Sequence, residues 1–160
     1  MKDELTGLLN RRFLIEQLDK LLEKTNNPVF SLLFIDIDFF KAVNDNGFLV
    51  GDRILVKIAE ELSKQVQSRG FASRYGGEEF AILLPEINVQ TATELAESIR
   101  TAIENTDFFP QEYYNQITVT ILVTELSKKA SHNNAKEILK ELDDSLFEVK
   151  KSGRNRVKVI

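Results

Sequence analysis

Residues 74–85 read RYGGEEFAILLP and combine a turn, a pair of acids and an apolar strand. Two adjacent glycines between short β-prone runs predict a hairpin, whose strands are FASRY at 71–75 and FAILLP at 80–85. Glu78 and Glu79 open the second strand, a position where acidic residues are uncommon. The two acids of this hairpin therefore need an explanation.

The segments on either side of the hairpin alternate between helical and extended patterns. Apolar residues at helical spacing predict helices at 11–24, 51–68, 88–106 and 134–153. Runs rich in β-branched and aromatic residues predict strands at 29–38, 116–126 and 156–160. The first of these strands is apolar on both faces until its end, as in the centre of a sheet. The order αβαββαβαβ predicts an α/β or α+β sandwich, with one mixed sheet covered by helices.

Length and composition exclude several classes of protein. The 160 residues suit a single domain over 1–160, and the net charge of -4 argues against a general nucleic-acid binder. There is no cysteine, so disulfides and cysteine zinc sites are excluded. The one histidine, His132, lies in a polar stretch that predicts a solvated loop, which argues against a histidine-rich metal site and a Ser-His-Asp hydrolase.

No apolar run approaches the ~20 residues that a membrane helix needs, so no membrane segment is predicted. We expect the domain to be cytoplasmic, although a full-length protein could be anchored to a membrane. Dense motif begins directly after Met1, at DELTGLLNRR, which predicts a piece of a longer chain.

Two acids end the predicted central strand. Asp36 and Asp38 are two residues apart, so they face the same side of an extended chain. Asp38 precedes FFKAVND and is predicted to cap the start of a short helix. Asp36 has no such role, and a buried strand that ends in an acid is costly unless that acid is solvated, capped or bound to a metal.

Pairing of the hairpin with the central strand would bring Glu78 and Glu79 next to Asp36. Three converging carboxylates repel one another unless a cation joins them. Oxygen ligands without histidine or cysteine favour Mg²⁺ or Mn²⁺, and such a site suits phosphoryl or nucleotidyl transfer. The alternative is a solvated acidic hairpin tip, which the short motif GGEE by itself does not exclude.

Five blocks together resemble the GGDEF family, the diguanylate cyclases, over essentially the whole chain. They are DELTGLLNRR (3–12), FIDIDFFKAVND (34–45), GFLVGDRIL (47–55), RYGGEEFAILLP (74–85) and SLFEVKKSGRNRV (145–157). The resemblance implies a fold similar to the palm of nucleotidyl cyclases and polymerases. It also implies that a homodimer joins two GTP molecules, one per chain, into cyclic di-GMP with release of pyrophosphate. The chain would then be the C-terminal output part of a signalling protein with an upstream sensory domain.

The resemblance also implies roles for individual residues. Metal ligands would be Asp36, the carbonyl of Ile37, Glu78 and Glu79. Catalytic roles fall on Glu78, which would help to deprotonate the 3′-hydroxyl, and on Lys41 near the phosphates. The substrate-binding residues would be Phe40, Asn44, Asp52, Gly76, Gly77, Lys150 and Arg154.

Each substrate-binding assignment has a physical reason. Asn44 and Asp52 would hydrogen-bond guanine, because a carboxylate accepts from the guanine N–H donors and an amide complements the remaining edge. Gly76 and Gly77 would let the backbone approach the nucleotide. Lys150 and Arg154 would contact the terminal phosphates, and the alternative is that they complement the dipole at a helix C-terminus.

The stretch NDNGFLVGD departs from the family pattern. It is one residue shorter between Asp45 and Gly47, and Phe48 replaces a histidine. A shift of about 3.3–3.6 Å, one extended residue, between Asn44 and Asp52 would break hydrogen bonds to one guanine. Phe48, Leu49 and Val50 make this loop apolar, either to pack at the start of the next helix or to contact a partner.

Two further departures concern other parts of the pattern. In TVTILV, Ile121 and Leu122 are bulkier than the small residues that the family has there. We expect them to reduce the space that those small residues leave for a neighbouring group. The family's inhibitory product site, R-x-x-D, falls on Gln67 and Gly70, and nearby Arg69 has no Asp partner, so we expect no inhibitory site.

Three functions therefore remain open. The first is an active diguanylate cyclase, and the second is a degenerate domain that binds GTP or dimerises without turnover. The third is synthesis of a mixed cyclic dinucleotide, against which Asp52 argues, because adenine has no N1–H for its carboxylate.

Overall fold

The structure, a computed structural model, describes residues 1–24, 28–45, 48–109, 116–127 and 134–160. Its helices are α1 (Arg11–Glu23), α2 (Phe40–Asn44), α3 (Phe48–Val66), α4 (Val89–Glu104) and α5 (Ala135–Lys151), with a short 3₁₀ helix at Gln67–Arg69. Its strands are β1 (Leu9–Asn10), β2 (Phe30–Ile37), β3 (Phe71–Arg74), β4 (Glu79–Pro85), β5 (Val119–Leu126) and β6 (Val157–Val159). Every predicted helix and strand is present, with ends within three residues of the prediction. The short helix expected after Asp38 is present as α2, and β1 and the 3₁₀ helix are additional.

The described strands form one mixed sheet in the order β1-β3-β4-β2-β5-β6. The central strand β2 pairs antiparallel with β4 and with β5, and the outer pairs β1–β3 and β5–β6 are parallel. All eight residues of β2 are buried, which explains why its sequence is apolar without alternation. The predicted mixed sheet covered by helices is confirmed.

Each face of the sheet is covered by two helices. Leu33, Ile35 and Ile37 of β2 belong to the core under α3 and α4. Leu32 and Phe34, which point the other way, belong to the core under α1 and α5. Because side chains alternate along a strand, residues at even positions of β2 face α1 and α5. That alternation decides which helix the acid at the end of β2 meets.

Asparagine caps the starts of α1, α4 and α5. Asn10, Asn88 and Asn134 each accept a hydrogen bond from the backbone N–H three residues later, at 2.9–3.0 Å. Such a cap stabilises a helix by about 1 kcal/mol, because it satisfies a backbone donor that has no partner within the helix. The caps fix where α1, α4 and α5 begin and therefore which of their residues reach the sheet.

Candidate active site

The site lies where the C-terminal end of β2 meets the N-terminal end of β4, next to α2. Asp36 pairs with Glu79 in the antiparallel register, and the backbone N–H of Ile37 donates to the carbonyl of Glu78 at 3.2 Å. The register follows from the hairpin, whose turn places Glu78 and Glu79 at the start of β4. The backbone pairing thus brings the two hairpin acids next to Asp36, as the sequence predicted.

Lys150, in the last turn of α5, reaches the end of β2. Its ammonium lies 2.5 Å from Oδ2 of Asp36 and 3.4 Å from Oδ1 of Asp38. The side chains of Lys150 and Asp36 are only 14% and 12% exposed, so the ion pair is largely shielded from water. Burial raises the pKa of the Asp36 carboxyl, and the hydrogen bond and charge of Lys150 only partly offset this. Oδ1 of Asp36 is buried and has no hydrogen-bond partner among the described residues.

Asp38 does not cap α2, and that prediction is wrong. The residue before α2 is Phe39, whose φ of 55° is left-handed and which makes no side-chain cap. The Asp38 carboxylate turns instead across the sheet edge, where it accepts from the hydroxyls of Thr118 and Thr120 at 2.8 and 2.7 Å. It also accepts from the backbone N–H of Asn155 at 2.9 Å. These three donors and the nearby Lys150 satisfy a buried charge better than the free N–H groups at the start of a short helix such as α2 would.

The hairpin acids sit in a field of negative charge. Burial raises the pKa of the Glu78 carboxyl, and the charge of Asp36 adds to the effect. Burial, a hydrogen bond with Asp143 and the charges of Asp143, Asp36 and Glu78 raise the pKa of Glu79 to about 8. Burial is the largest cause of both shifts, and the neighbouring negative charges add to it, because like charges disfavour one another's ionised form.

The acidic side chains of the site do not converge on one point. Among the described residues, no group of three or more histidine, cysteine or acidic side chains is placed to hold a metal ion. The physical reason is that Lys150 occupies one oxygen of Asp36, while Glu79 pairs with Asp143 of α5. The residue types still fit a hard divalent cation, because such ions prefer carboxylate oxygens as ligands. Oδ1 of Asp36 is buried without a partner among the described residues and is free to act as one.

Two adjoining pockets open beside these acids. The first, called here the Asn44 pocket, has a volume of about 350 Å³ and is lined by Phe40, Asn44, Asp52, Leu55, Arg74, Gly77, Glu78 and Glu79. The second, called here the Lys41 pocket, has a volume of about 430 Å³ and is lined by Ile37, Phe39, Phe40, Lys41, Ala42, Asp45, Glu78, Lys150 and Arg154. Phe40 and Glu78 line both pockets and form the border between them. Their volumes are in the range of small-molecule sites.

The Asn44 pocket brings together two side chains that the shortened NDNGFLVGD stretch could have separated. Asn44 ends α2 and Asp52 lies in the first turn and a half of α3, and both line the pocket. The Asn44 amide lies directly over Gly51, where a Cβ atom would collide with its Oδ1. Gly51 therefore allows Asn44 to lie beside Asp52.

The Lys41 pocket gathers the predicted cations. Lys41 is exposed on α2, and the guanidinium of Arg154 lies 4.4 Å from the ring centre of Phe39. Arg154 follows the end of α5, and the Lys150 ammonium donates to Asp36. Neither side chain therefore hydrogen-bonds the last carbonyls of α5, as the helix-dipole alternative would have it. The lining of the pocket thus combines basic side chains with the acids Asp45 and Glu78.

The two signature glycines have different surroundings. A Cβ atom at Gly76 would come within 2.8 Å of Oε1 of Glu79, whereas one at Gly77 would meet nothing within 4 Å. Neither residue has a positive φ. The fold of the free chain therefore does not require glycine at position 77, and the open space beside it belongs to the Asn44 pocket.

Sequence reasoning missed two residues that shape the site. Arg74 was part of the opening motif without an assigned role. It lines the Asn44 pocket and contacts the turn at residues 75–79, called here the signature turn. Asp143 pairs with Glu79 and lies seven residues before Lys150, hence two turns away on the same face of α5. That spacing was the available signal for Asp143, because Lys150 had already been placed near the acids.

The remaining predictions have mixed outcomes. Ile121 and Leu122 point into the opposite cores of the sheet and line neither pocket, so their bulk does not crowd the site. Val50 packs against the core and Leu49 is 80% exposed. His132 lies outside the described residues, as does Gly47.

The positions that match the family's inhibitory motif lie at the 3₁₀ helix after α3. Gln67 begins the 3₁₀ helix and Gly70 follows it, while Arg69 donates to the carbonyl of Gln65 at 2.6 Å. The lack of product inhibition stays a prediction. Within the described ranges, no helix is both long and apolar enough to cross a membrane.

Comparison with known proteins identifies the family. The family model described as "Diguanylate cyclase, GGDEF domain" matches residues 1–156. The response regulator PleD of Caulobacter vibrioides is 36% identical over 159 residues, which cover 97% of this chain and 35% of PleD. The chain thus spans about a third of the length of that curated relative.

Solved structures agree with this fold. The diguanylate cyclase SiaD of Pseudomonas aeruginosa, solved in complex with its activator SiaC, is 31% identical with a TM-score of 0.88, over 99% of this chain and 61% of that one. The active GGEEF domain of a diguanylate cyclase from Vibrio cholerae is 32% identical with a TM-score of 0.80, over 94% and 96% of the two chains. Its GGEEF spelling is the one that this chain has at residues 76–80. The chain therefore belongs to the diguanylate cyclase family of GGDEF domains.

Proposed function

We propose that this chain condenses two GTP molecules into cyclic di-GMP and pyrophosphate. The observation that carries the proposal is the adjacency of the Asn44 pocket, which has an amide and a carboxylate for guanine, to the Lys41 pocket, which has three cations for phosphates. Glu78 lies on the border between them. A nucleotide with its base in the first pocket and its phosphates in the second would pass directly over this acid.

The chain's own residues would divide the work as follows. Asn44 and Asp52 orient guanine, because the carboxylate accepts from N1–H and N2–H₂ and the amide complements the remaining edge. Lys41, Lys150 and Arg154 neutralise the phosphates, and their charge stabilises the transition state. Phe40 and Gly77 shape the walls against which the nucleotide lies, whereas Gly76 lines neither pocket and would act only through the turn that carries Gly77.

Glu78 is proposed to take the proton from the attacking 3′-hydroxyl. Its carboxylate lies on the border between the two pockets, next to the path of a bound nucleotide. Diguanylate cyclases of this family are generally metal-dependent, and here Asp36, the carbonyl of Ile37, Glu78 and Glu79 would hold Mg²⁺ or Mn²⁺. When bound, such an ion supplies positive charge next to the reacting phosphate.

Because one chain holds one half of the reaction, we propose that two copies meet with their nucleotides face to face. Holding both substrates in one assembly makes a bimolecular step effectively intramolecular. The specific rate is then expected to rise with protein concentration over the range in which the dimer forms. A constant specific rate in a demonstrated monomer would contradict the dimer.

The test is product analysis. The purified protein is incubated with GTP and Mg²⁺, and the products are separated by chromatography and identified by mass. We expect cyclic di-GMP and pyrophosphate, and Glu78→Gln removes both while leaving nucleotide binding measurable. Absence of cyclic di-GMP from the wild-type dimer, with the full-length form also tried, would refute the proposal.

A second candidate is a domain that binds GTP without turnover. The observation that favours it is the ion pair between Lys150 and Asp36, since the lysine occupies an oxygen that a metal would need. Titration with GTP separates the candidates, because binding without product supports this second function. No binding at all would contradict both.

A further inference from the structure

The guanidinium of Arg74 joins the N-terminal segment to the signature turn. Its Nε donates to the carbonyl of Gly76 at 3.2 Å, and its Nη2 donates to the carbonyl of Gly77 at 2.9 Å. Its Nη1 lies 3.3 Å from both carboxylate oxygens of Asp3. All three nitrogens of this planar group are thus engaged, two by the turn and one by a residue that is 71 positions away in sequence.

Asp3 is itself held in place by a tight N-terminal turn. Its Oδ2 accepts from the backbone N–H of Thr6 at 2.9 Å and from the Thr6 hydroxyl at 2.7 Å. Strand β1 then pairs in parallel with β3, with Asn10 opposite Arg74. The Asp3 and Arg74 side chains are only 22% and 19% exposed, so solvent weakens their interaction less than that of a surface pair.

The protonation of Asp3 agrees with this arrangement. Partial burial raises the pKa of its carboxyl, but the hydrogen bonds from Thr6 and the charge of Arg74 outweigh this and lower the pKa below its ordinary value. Asp3 is therefore a carboxylate over the physiological pH range. Its charge is available to fix the guanidinium in one orientation.

The anchor matters because of what else surrounds Arg74. Arg74 lines the Asn44 pocket together with Glu78 and Glu79, two acids that would attract an unanchored guanidinium. The carbonyls that Arg74 holds belong to the two residues directly before Glu78. Loss of Asp3 would therefore free both the wall of the pocket and the backbone that carries the proposed base.

We infer that Asp3 is a positioning residue for the signature turn at residues 75–79, and that it acts through Arg74 to keep the Asn44 pocket open for a nucleotide. Asp3 touches neither pocket. The effect on nucleotide binding rests on the proposed function, whereas the effect on the turn does not.

The first test reads the turn without any nucleotide. Amide hydrogen exchange is measured for the purified protein and for Asp3→Asn, which removes the charge and keeps the size. We expect exchange in the peptide that contains residues 76–79 to become about tenfold faster, because a charge-assisted contact no longer holds the turn closed.

A matched variant separates this role from general folding of the N-terminus. Glu4→Gln removes the charge of an adjacent, exposed acid and keeps its size. It is expected to leave exchange at 76–79 within twofold of the wild type. Equal exchange in Asp3→Asn and Glu4→Gln would overturn the inference.

The second test reads nucleotide binding. If the turn adopts its binding-competent conformation in only a fraction of the molecules, the apparent affinity for nucleotide is reduced in proportion to that fraction. Turnover at saturating nucleotide is unchanged, because bound nucleotide selects the competent conformation. In Asp3→Asn we expect a non-hydrolysable GTP analogue to bind about tenfold more weakly and KM to rise with little change in kcat, with Asp3→Glu restoring most of the loss. A fall in kcat with unchanged KM would contradict the inference. A wild-type chain that binds no analogue would instead refute the proposed function, and the exchange experiment would still decide the role of Asp3.

Discussion

The ammonium of Lys150 lies 2.5 Å from Oδ2 of Asp36, and the other carboxylate oxygen of Asp36 is buried without a partner. The lysine therefore supplies the positive charge that the sequence led us to expect from a metal ion. In the proposed reaction, a metal would need Asp36 and the phosphates would attract Lys150. Metal binding by Asp36 and movement of Lys150 to the phosphates would then be coupled, because each requires that the Lys150–Asp36 ion pair opens.

Replacement of Lys150 by methionine is expected to destabilise the fold by roughly 2–3 kcal/mol. It leaves the buried Asp36 carboxyl without its cation, and one-sided removal of a buried pair is far more costly than loss of a surface pair. Chemical denaturation at neutral pH measures the change. Lys151→Met is the matched control, because Lys151 makes an exposed pair with Glu148 whose loss costs about 0.5 kcal/mol or less. Equal stability of the two variants would show that the Lys150 pair is not shielded.

Stability is expected to fall as the pH rises from about 5 to about 8. The pKa of Glu79 is raised to about 8, chiefly by burial, so the folded chain binds more protons than the unfolded chain in this range. The raised pKa values of Asp36 and Glu78 act in the same direction. Glu79→Gln flattens this dependence, as measured by denaturation at a series of pH values.

The control for this pH dependence is Glu94→Gln, which removes an exposed acid of α4. It is expected to keep the wild-type slope. Asp143→Asn is expected to flatten the slope partly, because Asp143 contributes to the raised pKa of Glu79 by hydrogen bond and by charge. A steep slope that persists in Glu79→Gln would assign the effect to other groups.

Gly51→Ala is expected to weaken GTP binding although Gly51 does not line the nucleotide pockets. A methyl group at this position would collide with Oδ1 of Asn44 and come within 3.1 Å of the Phe40 ring, so Asn44 must move. We expect a loss of affinity of about tenfold, the cost of one hydrogen bond to a buried partner. Calorimetric titration measures it, with Ser63→Ala on the exposed face of α3 as the control. Unchanged affinity would show that Asn44 does not contact guanine.

Thr120→Val is expected to cost about 1–2 kcal/mol of stability. It removes the hydroxyl that donates to the buried Asp38 carboxylate at 2.7 Å, and hydrogen bonds to charged groups are stronger than neutral ones. Thr124→Val on the same strand is the control, since its side chain is further from the site and only half-buried. If both variants are equally stable, the remaining donors of Asp38 suffice without Thr120.

The sequence was sufficient for the layered fold because its patterns report local rules. The unbroken apolar run of β2 predicted a strand buried on both faces, and two adjacent glycines predicted the hairpin whose turn carries Glu78 and Glu79. The two-residue strand β1 escaped detection, because Leu9–Asn10 is too short for any periodicity and its pairing with β3 joins segments that are far apart in sequence.

The sequence by itself determined which residues are present for chemistry and, through the family's motifs, which chemistry they suit. Tertiary structure alone decided their partners, because electrostatic contacts depend on distances between elements that are far apart in sequence. It sent Asp38 to Thr118 and Thr120 across the sheet instead of to the next helix, and it placed Lys150 on Asp36 where a metal was expected. It also tied Asp3 to Arg74, since β1 lies beside β3 only in the folded sheet.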